Sequence, residues 1–211
     1  LTDLPTCHNV PLDNPRPAQL SFEGGTLTKT LSAPLVERLK SLGNRTGVTG
    51  FMLYQAAFAL LLSRWSHSDD IVMGTPIAGR RHSDVEPLIG CFINTLVLRT
   101  DLSGSPSFEE LLSQTRRMAM DAFEHQDIPF EMLVEKLSPE RSMNHSPLFQ
   151  ILFSMHNNAP VDLKFDGAEV SLVNASNDRV KYDLCLHVGD NEEQSYVIWE
   201  YNKELFSDTT V

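Results

Sequence analysis

Ile89-Gly90-Cys91-Phe92-Ile93-Asn94-Thr95-Leu96-Val97-Leu98-Arg99 is the most informative stretch of the chain. Its apolar residues alternate well enough to predict a β-strand over Phe92–Thr100. Asn94 is the odd residue in it, placed mid-strand between Phe92 and Leu96. Asparagine disfavours strands, and a buried amide must find hydrogen-bond partners. Asn94 therefore either ties down a neighbouring loop or faces a polar channel.

On the N-terminal side, Asp70-Ile71-Val72-Met73-Gly74 reads as a short buried strand, followed by a loop, Thr75-Pro76-Ile77-Ala78-Gly79-Arg80-Arg81. Gly74 and Gly79 have the spacing of a phosphate-binding G-x-x-x-x-G-K-[ST] loop. Arg80 and Arg81 stand where the lysine and the hydroxyl should be, and Pro76 removes an N–H, so the chemistry of nucleotide binding fails. The plainer reading is a tight loop whose glycines allow close backbone approach and whose arginines meet carboxylates or a phosphate.

Further toward the N-terminus, a strand is expected near Thr26–Leu31. A helix follows, capped by Ser32, with Pro34 in its first turn, Leu35, Leu39 and Leu42 on one face and Gly43 as its stop. A second helix, about Gly50–Trp65, is apolar all round and so should be buried against a sheet. Residues 1–19 carry four prolines, Pro5, Pro11, Pro15 and Pro17, and read as an extended arm or linker lying on a surface of this part of the chain or of a neighbour.

On the C-terminal side, Ser107-Phe108-Glu109-Glu110 is a capping box opening a helix to about His125. Pro129 starts another, with Phe130, Leu133, Val134 and Leu137 as its apolar stripe. Between them, His125-Gln126-Asp127-Ile128-Pro129-Phe130-Glu131 reads as a polar hinge or as ligand-contacting residues. The last third turns to strands. Phe149, Ile151, Phe153 and Met155 alternate, as do Val180, Tyr182, Leu184, Leu186 and Val188, and Tyr196–Tyr201 pairs with the latter across Gly189-Asp190-Asn191. The pattern predicts an α/β or α+β layered fold, a mixed sheet flanked by helices.

The chain has 211 residues, 41% hydrophobic and 21% charged, which suits one globular domain or two small lobes. Its net charge of −11 makes nucleic acid an improbable main partner, because phosphate backbones repel it. The longest apolar run, Ala56–Leu62, falls far short of the ~20 residues of a membrane span. Leu1-Thr2-Asp3-Leu4-Pro5 is neither a signal peptide nor an initiator, so the chain reads as cut from a longer one. Cys7, Cys91 and Cys185 lie far apart, an odd and sparse set that fits a reducing compartment and, with no paired spacing, no metal site. Seven histidines, His8, His67, His82, His125, His145, His156 and His187, show no spacing typical of a catalytic set, and G-x-S-x-G does not occur. Paired carboxylates such as Asp69-Asp70 read as caps and turns.

Three segments resemble, in order, the motifs of the condensation domains of non-ribosomal peptide synthetases. Ile89–Arg99 resembles I-G-x-F-V-N-T-x-x-x-R, with Ile93 a conservative departure. His125–Glu131 is similar to H-Q-D-x-P-F-E, with Ile128 in its variable position. Arg141-Ser142-Met143-Asn144-His145-Ser146-Pro147-Leu148 is similar to R-D-x-S-R-N-P-L, keeping Arg141, Pro147 and Leu148. Gly74–Arg80 also matches the family's loop before the first motif. The resemblance implies two lobes, each like chloramphenicol acetyltransferase, set in a V with a tunnel between them. In that tunnel an acceptor amine attacks a donor thioester, both carried on the phosphopantetheine arms of peptidyl carrier proteins.

The family's H-H-x-x-x-D-G motif, which belongs to the first lobe, does not occur in this sequence. The resemblance therefore implies an inter-lobe linker over 1–19 and a C-terminal lobe over 20–211, partnered by the N-terminal lobe and neighbouring synthetase domains in the cytoplasm. It implies no bound cofactor, no metal and no catalytic residue in this chain. Gly74, Thr75, Pro76, Ala78, Gly79 and Arg80 would lie across the tunnel floor. Asn94, Arg99, His125, Gln126 and Asp127 would face or support the tunnel. Arg80, Arg81, Arg116 or Arg117 could meet a carrier's acidic surface. Half of an amide-forming enzyme, inactive alone, is the first expectation. A non-catalytic docking module is the second, and an acyltransferase using His125 is a weak third.

Overall fold

The computed structural model describes residues 1–80, 82–140, 142–156, 167, 178–190 and 195–211. One mixed sheet of six strands organises them, β1 (Gly24–Thr30), β2 (Asp70–Ile77), β3 (Asn94–Asp101), β4 (Ile151–His156), β5 (Leu184–Asp190) and β6 (Ser195–Asn202), in the spatial order β1-β6-β5-β4-β2-β3. The outer pairs β1/β6, β6/β5 and β2/β3 are antiparallel, while β5/β4 and β4/β2 are parallel. The mixed sheet flanked by helices that the sequence pattern predicts is the fold observed.

Period-two alternation sorts each strand's side chains between the two faces. Leu184, Leu186 and Val188 of β5, Ile151 and Phe153 of β4, and Met73 and Leu98 of β2 and β3 point to one face and make the main core. Helices α1 (Ala33–Thr46), α2 (Gly50–Ser66) and α3 (Phe108–Glu124) supply its other half. In α2, Leu53, Ala56, Phe58, Ala59 and Leu62 are buried, but Ala57, Leu61 and Trp65 are exposed, so the helix buries one broad face and not, as its apolarity predicted, its whole circumference. Helix α4 (Phe130–Leu137) lies against the opposite face near β2 and β3, where Phe130, Leu133, Val134 and Leu137 cover Val72, Val97, Leu148 and Phe149.

Ser32, Ser107 and Pro129 stand at the starts of helices where the sequence puts them, although the Ser32 hydroxyl makes no capping hydrogen bond. Thr49 and Ser107 cap α2 and α3 with their hydroxyls, and Ser107 and Glu110 close the expected capping box. Pro129 stands at the N-cap of α4. Gly43, however, does not stop α1. The helix continues to Thr46, and Gly47 ends it at φ +67°. Gly43's carbonyl instead accepts from both the Gly47 and Val48 N–H groups, the closure of a left-handed C-cap. Leu35 is more exposed than expected, and Val36 is the buried residue of that turn.

Strand boundaries carry the other corrections. β2 extends through Thr75, Pro76 and Ile77, which pair with Leu96, Thr95 and Asn94, so the loop begins only at Ala78. β2 bridges β4 only at Gly74↔Leu152, so beyond Gly74 its β4 side is unpaired, the kind of position at which a strand proline is tolerated. Asn94 is the first residue of β3 and not a mid-strand one. Phe149, Val180 and Tyr182 fall just outside β4 and β5, and Gly189 and Asp190 belong to β5, opposite Tyr196 and Ser195. Asn191 lies outside the described residues. Among the described residues no single helix is long and apolar enough to cross a membrane.

Candidate functional site

Asn94 is the hub of the region that the motifs mark out. Its Nδ2 donates to the carbonyls of Gln126 at 2.9 Å and Ile128 at 2.8 Å. Its Oδ1 accepts from the N–H of Thr95 at 2.8 Å and of Phe130 at 3.1 Å. A primary amide has two donors and two acceptor lone pairs, so Asn94 is saturated. Of the two readings that its unusual place invited, tying down a neighbouring loop is the one this geometry shows. The loop in question is the α3–α4 corner.

The corner is closed on itself as well. Gln126 Nε2 donates to the Phe123 carbonyl at 2.7 Å, satisfying the end of α3. His125 is exposed, and its Nδ1 lies 2.8 Å from the Asp121 carbonyl, which makes that nitrogen the protonated one. Asp127 is exposed on the turn. His125 and Gln126 thus spend polar groups on the ends of helices, the hinge reading of this segment.

The segment from Ala78 to Ile93 folds back on β3. Gly79 stands at φ +64°, and a Cβ there would sit 1.9 Å from the Phe92 carbonyl oxygen, so only glycine fits. Arg80 braces the loop from inside. Its guanidinium donates to the carbonyls of Val85, Glu86 and Gly90 and stacks 4.3 Å from the centre of the Phe92 ring. It meets carbonyl oxygens, where a carboxylate or phosphate was expected, because the loop's one 3-10 turn, Ser83–Val85, turns its free carbonyls inward. Arg81 lies outside the described residues. Leu88, Ile89 and Ile93 are left exposed, as are Ile128 and Met132 at the corner that Asn94 holds.

Gly74 and Thr75 belong to the sheet below. A Cβ on Gly74 would meet the Phe149 ring at 2.1 Å, so its glycine serves close aromatic packing. Thr75 is buried, and its hydroxyl has no hydrogen-bond partner among the described residues. Pro76 and Ala78 are exposed at the strand's end. Arg99 clamps Asp70 through two 2.8 Å hydrogen bonds and donates to the carbonyls of Thr2 at 2.7 Å and Asp3 at 3.3 Å. That forked bond to Asp70, with Asp3 and Asp101 nearby, holds the Arg99 pKa above its usual value despite partial burial.

The sequence leaves the N-terminal arm on a surface of this part of the chain or of a neighbour, and the structure gives the first: the arm is docked on the six-stranded sheet and its loops. Val10 is buried, and the His8 N–H donates to Gln150 Oε1 at 3.0 Å. His8 Nδ1 accepts from the Val10 N–H, so Nε2 carries the proton and donates to Asp183 at 3.0 Å. Arg16 Nη2 reaches the same Asp183 oxygen at 2.5 Å. Burial alone would raise the Asp183 carboxyl, but the bonds from His8 and Arg16 and their charges outweigh it and hold it below its usual range. The third motif segment clasps the arm: the Met143 and Asn144 carbonyls accept from Leu20 N–H and Arg16. Arg141 lies outside the described residues. The only signal for this docking in the sequence is the arm's own His8, Asp13 and Arg16, charges that a free linker has no need to place.

The comparisons with known proteins agree with the motifs. The Condensation domain family model matches residues 2–211. Malpinin synthetase of Mortierella alpina is 42% identical over 211 residues, all of this chain but 3% of that protein. Among solved structures, a four-domain nonribosomal peptide synthetase, holo-AB3403 bound to AMP and glycine, aligns with a TM-score of 0.90 at 25% identity, over 98% of this chain and 17% of that one. The X-domain from teicoplanin biosynthesis, in its complex with OxyB, aligns at 0.88 and 27% identity over 99% of this chain and 46% of that one. The chain therefore spans a few per cent of the synthetase and somewhat under half of the X-domain structure.

Proposed function

Because the chain belongs to the condensation-domain family, we propose that it is the C-terminal lobe of such a domain, one wall of the cleft in which amide bonds are made during non-ribosomal peptide synthesis. The observation that carries this reading is a family match over residues 2–211 in a sequence with no H-H-x-x-x-D-G. The exposed Leu88, Ile89 and Ile93 of the segment before β3 and Ile128 and Met132 of the corner that Asn94 holds support it, since exposed large apolar side chains suit a partner's surface.

In the proposed reaction the acceptor amine attacks the donor thioester carbonyl. The C–N bond forms, the C–S bond breaks, and the donor's sulfur leaves as a thiol with the proton the amine gives up. Both reactants come on the phosphopantetheine arms of carrier proteins. A base and most oxyanion stabilisation would come from the other lobe. This chain's part is to hold the floor still. Arg80 and Gly79 fix the loop 78–93, Asn94 locks that loop's strand to the His125–Glu131 corner, and Arg99 anchors the arm that would lead to the other lobe. The protein would work in the cytoplasm with carrier proteins and neighbouring synthetase domains.

The test is an amide-forming assay with loaded donor and acceptor carriers. This chain alone should give no product above background, and adding a separately produced lobe bearing H-H-x-x-x-D-G should restore it. Product from the chain alone overturns the reading. A docking role without chemistry has one observation in its favour, the likeness to an X-domain solved in complex with OxyB. Tight binding of a partner domain by this chain, with no gain in product when the other lobe is added, would select it.

A further inference from the structure

The sheet face opposite α1–α3 carries polar side chains that the proposed function does not use. β5 and β6 pair with Cys185 opposite Glu200, and β5 and β4 pair with His187 opposite Ser154. Since Leu184, Leu186 and Val188 face the helices, Cys185 and His187 project together on the other side. There the Cys185 sulfur, a His187 ring nitrogen and a Glu200 carboxylate oxygen all lie within 4.8 Å of one another. His187 Nε2 is 3.2 Å from Glu200, and its Nδ1 is 2.6 Å from Ser154 Oγ.

We infer that Cys185, His187 and Glu200 form a three-ligand site for a divalent cation of the zinc class. The donor set is one thiol sulfur, one imidazole nitrogen and one carboxylate oxygen, the mixture that suits a borderline-soft ion. Ser154 is placed as such a site requires. Its Oγ lies 2.6 Å from the far ring nitrogen and 3.3 Å from His156 Nε2, and it can accept the His187 Nδ1 proton so that Nε2 is left turned toward the other two ligands. When Nδ1 carries the ring proton and donates it to Ser154, the Nε2 lone pair faces the Glu200 oxygen and is open to a cation; when Nε2 carries it, the pair makes a hydrogen bond that a cation would replace. Zinc at ordinary bond lengths brings ligand atoms to about 3.3–3.8 Å apart. Glu200, whose side chain is 41% exposed, is free to close that gap from the solvent side.

Burial, reinforced by Glu200 and Asp183, pushes the Cys185 thiol up, so without a cation the sulfur stays protonated. On binding, the thiol proton leaves to solvent, the sulfur coordinates as thiolate, and no redox change is involved. A second group, Cys7, His8 and Asp183, is as compact but does not qualify. The Arg16 guanidinium sits 2.5 Å from Asp183 and 3.3 Å from the Cys7 sulfur, where an ion would have to go. The sequence hides the first site because Cys185-x-His187 is completed from a different strand.

Cobalt titration of the chelator-treated chain tests the site independently of any peptide-forming activity. One Co²⁺ per chain is expected, with a thiolate-to-metal charge-transfer band in the near ultraviolet that zinc bleaches. Cys185→Ser should abolish the band, Glu200→Gln should weaken binding at least tenfold with an unchanged circular dichroism spectrum, and Cys7→Ser should change neither. Binding without a thiolate band, a band that survives Cys185→Ser or vanishes in Cys7→Ser, or no binding at micromolar cobalt would each overturn the inference.

Discussion

Asn94 shows how one side chain joins two motifs that are far apart in sequence. Its four hydrogen bonds need two donors and two acceptors on one planar group, a set that neither aspartate nor a hydroxyl provides. Asn94→Asp keeps the shape but turns an oxygen toward the Gln126 and Ile128 carbonyls. We expect a loss of about 2 kcal/mol, from two deprived carbonyls and their repulsion. That corresponds to a melting temperature lower by about 4–8 °C for a domain of this size. Thermal unfolding checks it, and an unchanged midpoint would mean that the amide's role lies elsewhere. Strand propensity marked Asn94 as out of place, so the anomaly was legible in the sequence. Its partners were not, because the nearest carbonyl it binds is 32 residues away. Arg80 is a parallel case: its charge suggested a carboxylate or phosphate, whereas the loop's own carbonyls satisfy it.

At the level of elements, local chemistry read well where it was self-contained. The Ser107–Glu110 capping box and the apolar stripe of α4 need only a few adjacent residues, and both are where the sequence puts them. The expected stop of α1 at Gly43 is wrong, because Gly47 is as good a C-cap residue. What decides is which glycine takes the left-handed conformation, and that is Gly47 at φ +67°. A Cβ there meets only Arg116 Nη1 at 3.6 Å, so the cost of Gly47→Ala is conformational and not steric. It should be about 1 kcal/mol, read as a lower midpoint in urea at an unchanged slope. No loss of stability would show that α1 ends by another route. The reach of β2 through Pro76 was equally illegible, since no local pattern shows that β4 meets β2 only at Gly74.

Across the whole molecule, the order β1-β6-β5-β4-β2-β3 places the first strand beside the last, a pairing that no local pattern encodes. The docked arm adds to this closure. Asp13 receives the Ser207 N–H at 2.7 Å and the Thr210 hydroxyl at 2.8 Å, and Arg16 and His8 converge on Asp183, just before β5. Both chain ends are thus tied to one another, and Asp183 is the buried carboxylate on which the arm depends. Its pKa is depressed in the folded chain, so its contribution is complete above the unfolded carboxylate value of about 3.9 and is lost as pH falls through the lower folded value. Asp183→Asn leaves the half-buried Arg16 without its counter-charge and should cost about 2 kcal/mol near neutrality. Urea unfolding of the two proteins should show that difference constant from pH 7 to pH 5 and shrinking below pH 4, as the wild-type carboxylate takes up its proton. A difference that stays the same down to pH 3 would mean that the arm is held by its hydrogen bonds and apolar contacts, with the charge on Asp183 contributing nothing.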